Sequence, residues 1–139
     1  MSFGSRSFSD SEVDHLLELG GGHTDKGAII GLDGSKWTTD GANINLKVSP
    51  AEAVVIGRAF ESGDFTTLQS GGLKLEGLQY QFLRGDDDVV LAKKKDHGAI
   101  TMQKTKKAIV IGHTKEGGSQ GNTNKAVAII AEYLESLGM

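Results

Sequence analysis

Apolar residues recur with helical spacing at the two ends of the chain and with strand spacing between them. Near the N-terminus Val13, Leu16 and Leu17 stand at i, i+3 and i+4, one face of a helix. Ser9 and Glu12 form the S-x-x-E pattern of a capping box, and Gly20, Gly21 and Gly22 stop the run. This predicts a short amphipathic helix over 9–19. Ala28, Ile29 and Ile30 then run together without alternation, as in a buried strand, here expected over 26–32. Asp33-Gly34 is a hairpin turn signal, so Trp37, Thr38 and Thr39 are expected on a returning strand, and 41–47 in a loop. Ser49-Pro50-Ala51-Glu52 opens a second helix: Ser caps, Pro takes the first turn and Glu52 closes the box. Val55, Ala59 and Phe60 supply its core face, and Gly63 ends it.

Beyond Gly63 the period changes to two. Leu73 and Leu75 alternate with polar residues, Glu76-Gly77 turns, and Leu78, Tyr80 and Phe82 alternate again. Asp86-Asp87-Asp88 is a further turn before a strand over 89–92, and residues 93–98 lead to another over 99–103. After 104–107 comes the most apolar strand, 108–112. Strands this close together, joined by short turns, form an antiparallel meander, because parallel strands need longer crossovers. The last segment, 122–137, is helical: Val127, Ile130, Leu134 and Leu137 form one stripe, and Ala126, Ile129 and Tyr133 a second beside it. The order helix, strands, helix, strands, helix gives an α+β fold with one antiparallel sheet and helices on its faces.

Composition narrows the function. The 139 residues suit one domain, expected over 9–139 behind a polar, Ser-rich and flexible arm at 1–8. A net charge of −3 is poor for nucleic-acid binding, which needs a basic footprint. With no cysteine there is no disulfide, thiol chemistry or cysteine-held zinc. No apolar run approaches the roughly 20 residues of a membrane span, and the N-terminus lacks a signal-peptide core, so a cytoplasmic location is expected.

Candidate chemistry is sparse. The Gly-rich run from Gly117 to Asn124 opens a helix, where backbone N–H groups can cradle phosphate. It lacks the Walker spacing, and no strand follows the helix to complete a βαβ unit, so an ordinary capped loop is the competing reading. Lys93-Lys94-Lys95 and Lys104, Lys106, Lys107 make one positive patch if they flank the same hairpin; otherwise they are solvated turns. The Asp86-Asp87-Asp88 run lacks calcium-loop spacing. His15, His23, His97 and His113 show no metal-ligand spacing, and no local motif suggests a catalytic triad. Trp37 reads as core, and Tyr133 either as a recognition residue or as packing on the N-terminal helix. No catalytic residue, metal site or cofactor emerges.

Taken in order, several pieces resemble the profilin family. They are Ala28-Ile29-Ile30-Gly31 with Asp33-Gly34 and Trp37; Val48-Ser49-Pro50-Ala51-Glu52 running to Ala59-Phe60; and Tyr80 to Arg84 with Asp86-Asp87 and Lys93-Lys94. The run from Thr105 to Gly112 and then Glu132-Tyr133-Leu134 with Gly138 complete the series. Together they cover roughly 13–139, and the part from Arg84 onward is similar to amoeba-type profilins. The resemblance implies a central antiparallel sheet with the N- and C-terminal helices packed together on one face and a further helix on the other. It also implies a monomeric, non-enzymatic protein of the cytoskeleton that binds actin monomers, suppresses nucleation, delivers actin to filament barbed ends and promotes nucleotide exchange. The residues it assigns to actin are Arg84, Lys93, Lys94, Gly121, Asn122, Asn124 and Lys125; Lys93, Lys94 and Lys95 would meet phosphoinositide lipids. Profilins also bind proline-rich partners such as formins, through an aromatic pair on the N-terminal helix. The corresponding helix here has no such pair, leaving Tyr133 with Phe8 and Phe3 just upstream. A profilin-fold scaffold or phosphoinositide module without actin activity is the alternative, and a small flavin- or nucleotide-binding enzyme using the Gly117 loop a third.

Overall fold

The computed structural model describes residues 7–86 and 88–139. Phe3, most of the expected arm and Asp87 lie outside the described residues. Helix α1 spans Phe8–Leu19, and its cap is Ser7, whose Oγ accepts the Asp10 N–H at 3.1 Å. The box expected from Ser9 and Glu12 does not form, because the extended backbone of Ser7 starts the helix a residue before Ser9. Glu12 Oε1 is consequently buried without a hydrogen-bond partner among the described residues, 3.8 Å from His15 Nδ1.

Strand β1 is Thr24–Gly31. Helices α2 (Pro50–Ser62) and α3 (Thr66–Gly71) follow, then β2 (Leu73–Leu75), β3 (Leu78–Gly85), β4 (Val89–Lys93), β5 (Ala99–Lys104), β6 (Ala108–Thr114) and helix α4 (Gln120–Ser136). The strands form one six-stranded sheet in the order β1-β6-β5-β4-β3-β2, every neighbouring pair antiparallel. The apolar runs of β1 and β6 lack alternation because both sides are covered. Ala28, Ile30, Ile109 and Ile111 point into a core shared with α2 and α3. Ile29, Ala108 and Val110 point into a second core, with Leu16 of α1 and Ala126, Val127, Ile130 and Leu134 of α4. The terminal helices therefore share one face of the sheet and α2 takes the other, as expected.

Two local expectations change, and one helix appears that the pattern does not predict. The returning strand at Trp37–Thr39 reduces to a single bridge, Ile30 to Lys36. Trp37 and Thr38 both donate to the Ile29 carbonyl, so the ladder cannot advance. Instead Gly27 donates to Ile44 and accepts from Leu46, and this segment shields the β1 edge. Helix α3 has no apolar period, since Leu68 is its one buried residue. Finally, Val55 of α2 and Leu137 after α4 are 45% and 48% exposed; Ala53, Ile56 and Phe60 carry the α2 core face.

The α2 capping box is present, and its acid does more than cap. Glu52 accepts the N–H groups of Ser49 at 3.1 Å, Glu76 at 3.0 Å and Gly77 at 3.0 Å. Glu76 and Gly77 are the β2–β3 turn, both at positive φ (54° and 76°), a conformation costly for Glu76. One carboxylate thus ties the start of α2 to a strained hairpin. Glu52→Ala is expected to cost about 2–3 kcal/mol in urea unfolding, and Ser49→Ala about 1 kcal/mol, since it removes only a cap.

Candidate functional site

Helices α1 and α4 do not reach across the whole sheet. Their face continues beyond β5, as the strand register shows: residues directly opposite each other share a face. Thr101 of β5 donates to Asn124 Oδ1 of α4 at 2.5 Å, so Thr101 lies on the α4 side. Thr101 stands opposite Leu91 of β4, which stands opposite Arg84 of β3; Ala99 stands opposite Lys93, which stands opposite Gln81. No helix covers this end. Gln81, Arg84 and Lys93 are exposed, and Leu83, at a register shift in β3, is 48% exposed. Arg84 contacts Asp86 at 3.3 Å, a pair exposed enough to leave the guanidinium open to solvent.

The N-terminal end of α4 borders this bare face and is held rigidly. Thr123 Oγ1 meets Thr24 Oγ1 of β1 and accepts from Thr114 Oγ1 of β6, each at 2.7 Å in the interior. Ser119 N donates to His23 Nδ1 at 3.0 Å, and Gln120 reaches the Ile100 carbonyl at 3.1 Å. Gly121, Asn122 and Lys125 are exposed beside the half-buried Asn124. The structure so brings Arg84 and Lys93 to the same face of the sheet as the first turns of α4.

Lys94 is separated from them. The pleat turns it to the opposite side, where it lines a hollow with Gln69, Ser70 and Gly72 beside α3. Lys93 and Lys95 share a different hollow with Gln81, Asp96 and Glu116. The second lysine cluster does not join the first. Lys93 to Lys95 lie at the β4–β5 turn and Lys104 to Lys107 at the β5–β6 turn, the two ends of β5, about 17 Å of strand apart.

The Gly-rich loop offers little to a phosphate. Its Gly118 N–H goes to Lys115, that of Ser119 to His23, and that of Asn122 to Ser119 Oγ. The strands beside it are antiparallel, so no βαβ unit exists. Among the described residues, no group of three or more His, Asp or Glu is placed to hold a metal ion, and no helix is long and apolar enough to cross a membrane.

A second exposed surface lies on the terminal helices. Phe8, the first residue of α1, and Tyr133 of α4 are 41% and 43% exposed, with ring centroids 6.2 Å apart. Ile129 and Leu137, each 48% exposed, extend the apolar surface of α4, and half-buried Trp37 packs against the core beneath. The sequence pattern places Phe8 outside the helix; the Ser7 cap brings it in. Asp10 fixes this corner. Its carboxylate accepts the Thr39 N–H at 2.9 Å, the Asn45 amide at 2.8 Å, the Ser7 hydroxyl at 2.8 Å and the Thr39 hydroxyl at 3.2 Å. Burial works to raise the Asp10 pKa, but the Thr39 N–H and the three side-chain donors outweigh it and hold it below the ordinary 3.8.

Comparison with known proteins gives a consistent result. The family model described as Profilin matches residues 9–139. A profilin of Heliocidaris crassispina is 55% identical, the match covering 94% of this chain and 98% of that one. One of Suberites domuncula is 53% identical with the same coverage. The crystal structure of Acanthamoeba castellanii profilin II superposes with a TM-score of 0.82 at 36% identity, over 94% of this chain and 99% of that chain.

The Asp10 network has a pH signature. A carboxyl whose folded pKa is depressed contributes stability above its unfolded value, and loses it as pH falls through the folded one. Asp10→Asn is expected to cost about 2 kcal/mol at neutral pH and much less below about pH 3. Urea midpoints at the two pH values check this.

Proposed function

The chain belongs to the profilin family, and from that premise we propose that it binds monomeric actin through the bare face of β3 and β4 together with the first turns of α4. The observation that carries this reading is the juxtaposition of Arg84 and Lys93 with Asn122, Asn124 and Lys125 along one rigid, uncovered surface. Exposed Leu83 and half-buried Leu91 supply apolar contact, and the asparagines supply donors and acceptors. The cations complement an acidic partner and mainly set encounter rate and specificity. By occupying an actin monomer the protein suppresses spontaneous nucleation; delivery to barbed ends and acceleration of nucleotide exchange follow as family activities. Lys94, turned to the opposite side, contributes less than Lys93.

The Phe8–Tyr133 pair favours a second activity on the terminal helices. Two exposed rings beside Ile129 offer the aromatic floor that a polyproline II segment uses, with Phe8 standing in for the aromatic residues that α1 otherwise lacks. The phosphoinositide reading of Lys93, Lys94 and Lys95 has less behind it, because Lys94 points away and Asp96 and Glu116 share the hollow of the other two.

An assembly assay with pyrene-labelled actin tests both. The protein is expected to lengthen the nucleation lag, and Lys125→Glu with Arg84→Glu to weaken this effect by about tenfold in concentration, as loss of two interfacial charge contacts implies. A proline-rich formin segment is expected to change elongation with the natural chain and not with Phe8→Ser. An unaltered lag at saturating protein rejects actin binding; a segment without effect on the natural chain rejects the second activity alone.

A further inference from the structure

A strongly charged concavity lies beside the bare face, at the turn end of the sheet. It is a hollow of about 210 Å³ where the start of β1, the β2–β3 turn, the β4–β5 turn and the loop after β6 converge. Asp25, Glu76, Asp96 and Glu116 line it, one from each of these segments, around Tyr80 and His113. Some of this charge is answered internally. His113 Nδ1 faces Asp25 Oδ1 at 2.5 Å while its Nε2 faces the His97 carbonyl at 2.6 Å, and Lys26 lies 3.7 Å from Glu76. Asp96 and Glu116 pair with no cation among the described residues, although Lys93 and Lys95 line the adjoining hollow.

Tyr80 is the independent sign that the hollow is built for something. It is 2% exposed, stacks edge-on against His113 at 6.3 Å, and its hydroxyl has no hydrogen-bond partner among the described residues. The ring is buried while the oxygen keeps a residual contact with solvent, and buried phenol groups ordinarily find a partner in the protein. Burial, then the charges of Glu76 and Asp25, push its pKa up to about 12, so it stays a neutral phenol whose oxygen is free to accept.

We propose that this hollow binds the cationic head of a basic side chain, an ammonium or guanidinium group, with the Tyr80 oxygen accepting an N–H and Asp96 and Glu116 supplying charge. The donor set argues against a metal ion: no three of the acids and histidines converge on one point. Its size argues against a cofactor, for which pockets run from roughly 300 to 1,000 Å³, and suits one side chain. The aromatic rings add cation–π attraction. Tyr80 belongs to the core on the α2 side of the sheet, whereas Asp96 and Glu116 also line the hollow of Lys93, so the site opens beside the actin surface proposed above and its test does not involve actin.

Titration of the isotope-labelled full chain, followed by amide NMR, tests the proposal with agmatine, N-acetyl-arginine methylamide and spermidine as probes. Saturable shifts are expected at Asp25, Tyr80, Asp96 to Gly98 and Glu116. Tighter binding of the capped arginine identifies a protein side chain as the source, and tighter spermidine a free polyamine. Tyr80→Phe, which keeps the ring, and the pair Asp96→Asn with Glu116→Gln are each expected to weaken binding about tenfold, the loss of one hydrogen bond to a charged group. No saturable shift, equal shifts from magnesium chloride at matched ionic strength, or unchanged affinity in either variant overturns it.

Discussion

Strand β6 is buried on both faces, and the rest of the molecule is arranged around that fact. Ile109 and Ile111 fill the core beneath α2, while Ala108 and Val110 fill the core beneath α1 and α4; all four are at 0% exposure. The strand lies inside the sheet, next to the edge strand β1. It pairs with β1 on one side and β5 on the other, and it draws both terminal helices over itself. Gly112 shows how closely α4 approaches: a Cβ there would stand 2.7 Å from Val127 and 2.9 Å from Thr123. Because the helix pair is centred on β6, it is too narrow to cover β3 and β4. The bare face is thus a geometric consequence of where the core lies.

That asymmetry divides the surface into regions with different chemistry. The uncovered strands and the first turns of α4 present cations and amides on a rigid base. The outer seam of the helix pair presents Phe8 and Tyr133. The turn end of the sheet, on the α2 side, gathers carboxylates around a buried phenol. Polar interior groups hold these regions in register: the hydroxyls of Thr24, Thr114 and Thr123 pin the start of α4, and Asp10 pins the start of α1. Such groups cost free energy when left unpaired, so each network favours one placement of its helix.

Much of the framework is legible in the sequence because hydrophobic period reports burial directly. The unalternating runs at Ala28–Ile30 and Ala108–Ile111 announce two strongly apolar strands, which the structure pairs and covers on both faces, and Ser49 with Glu52 announces a helix start that the structure reproduces. What stays hidden depends on contacts distant in sequence. Nothing local tells Ser7 from Ser9 as a cap. Helix α3 buries only Leu68 and so leaves no period. Alternation in β3 shows which residues share a side, but not that α4 stops short of them. Residue order also cannot show that the pleat sends Lys93 and Lys94 to opposite sides, or that Asp25, Glu76, Asp96 and Glu116 meet around Tyr80.

The role of the bare face rests on where an actin monomer sits. Hydrogen exchange of this chain, measured free and with a molar excess of monomeric actin, reads that location without any substitution. Slowed exchange across β3, β4 and the first turns of α4, with the outer faces of α1 and α2 unchanged, is the predicted result. Protection confined to α1 and the C-terminal turns of α4, or to α2, would contradict the assignment of the bare face.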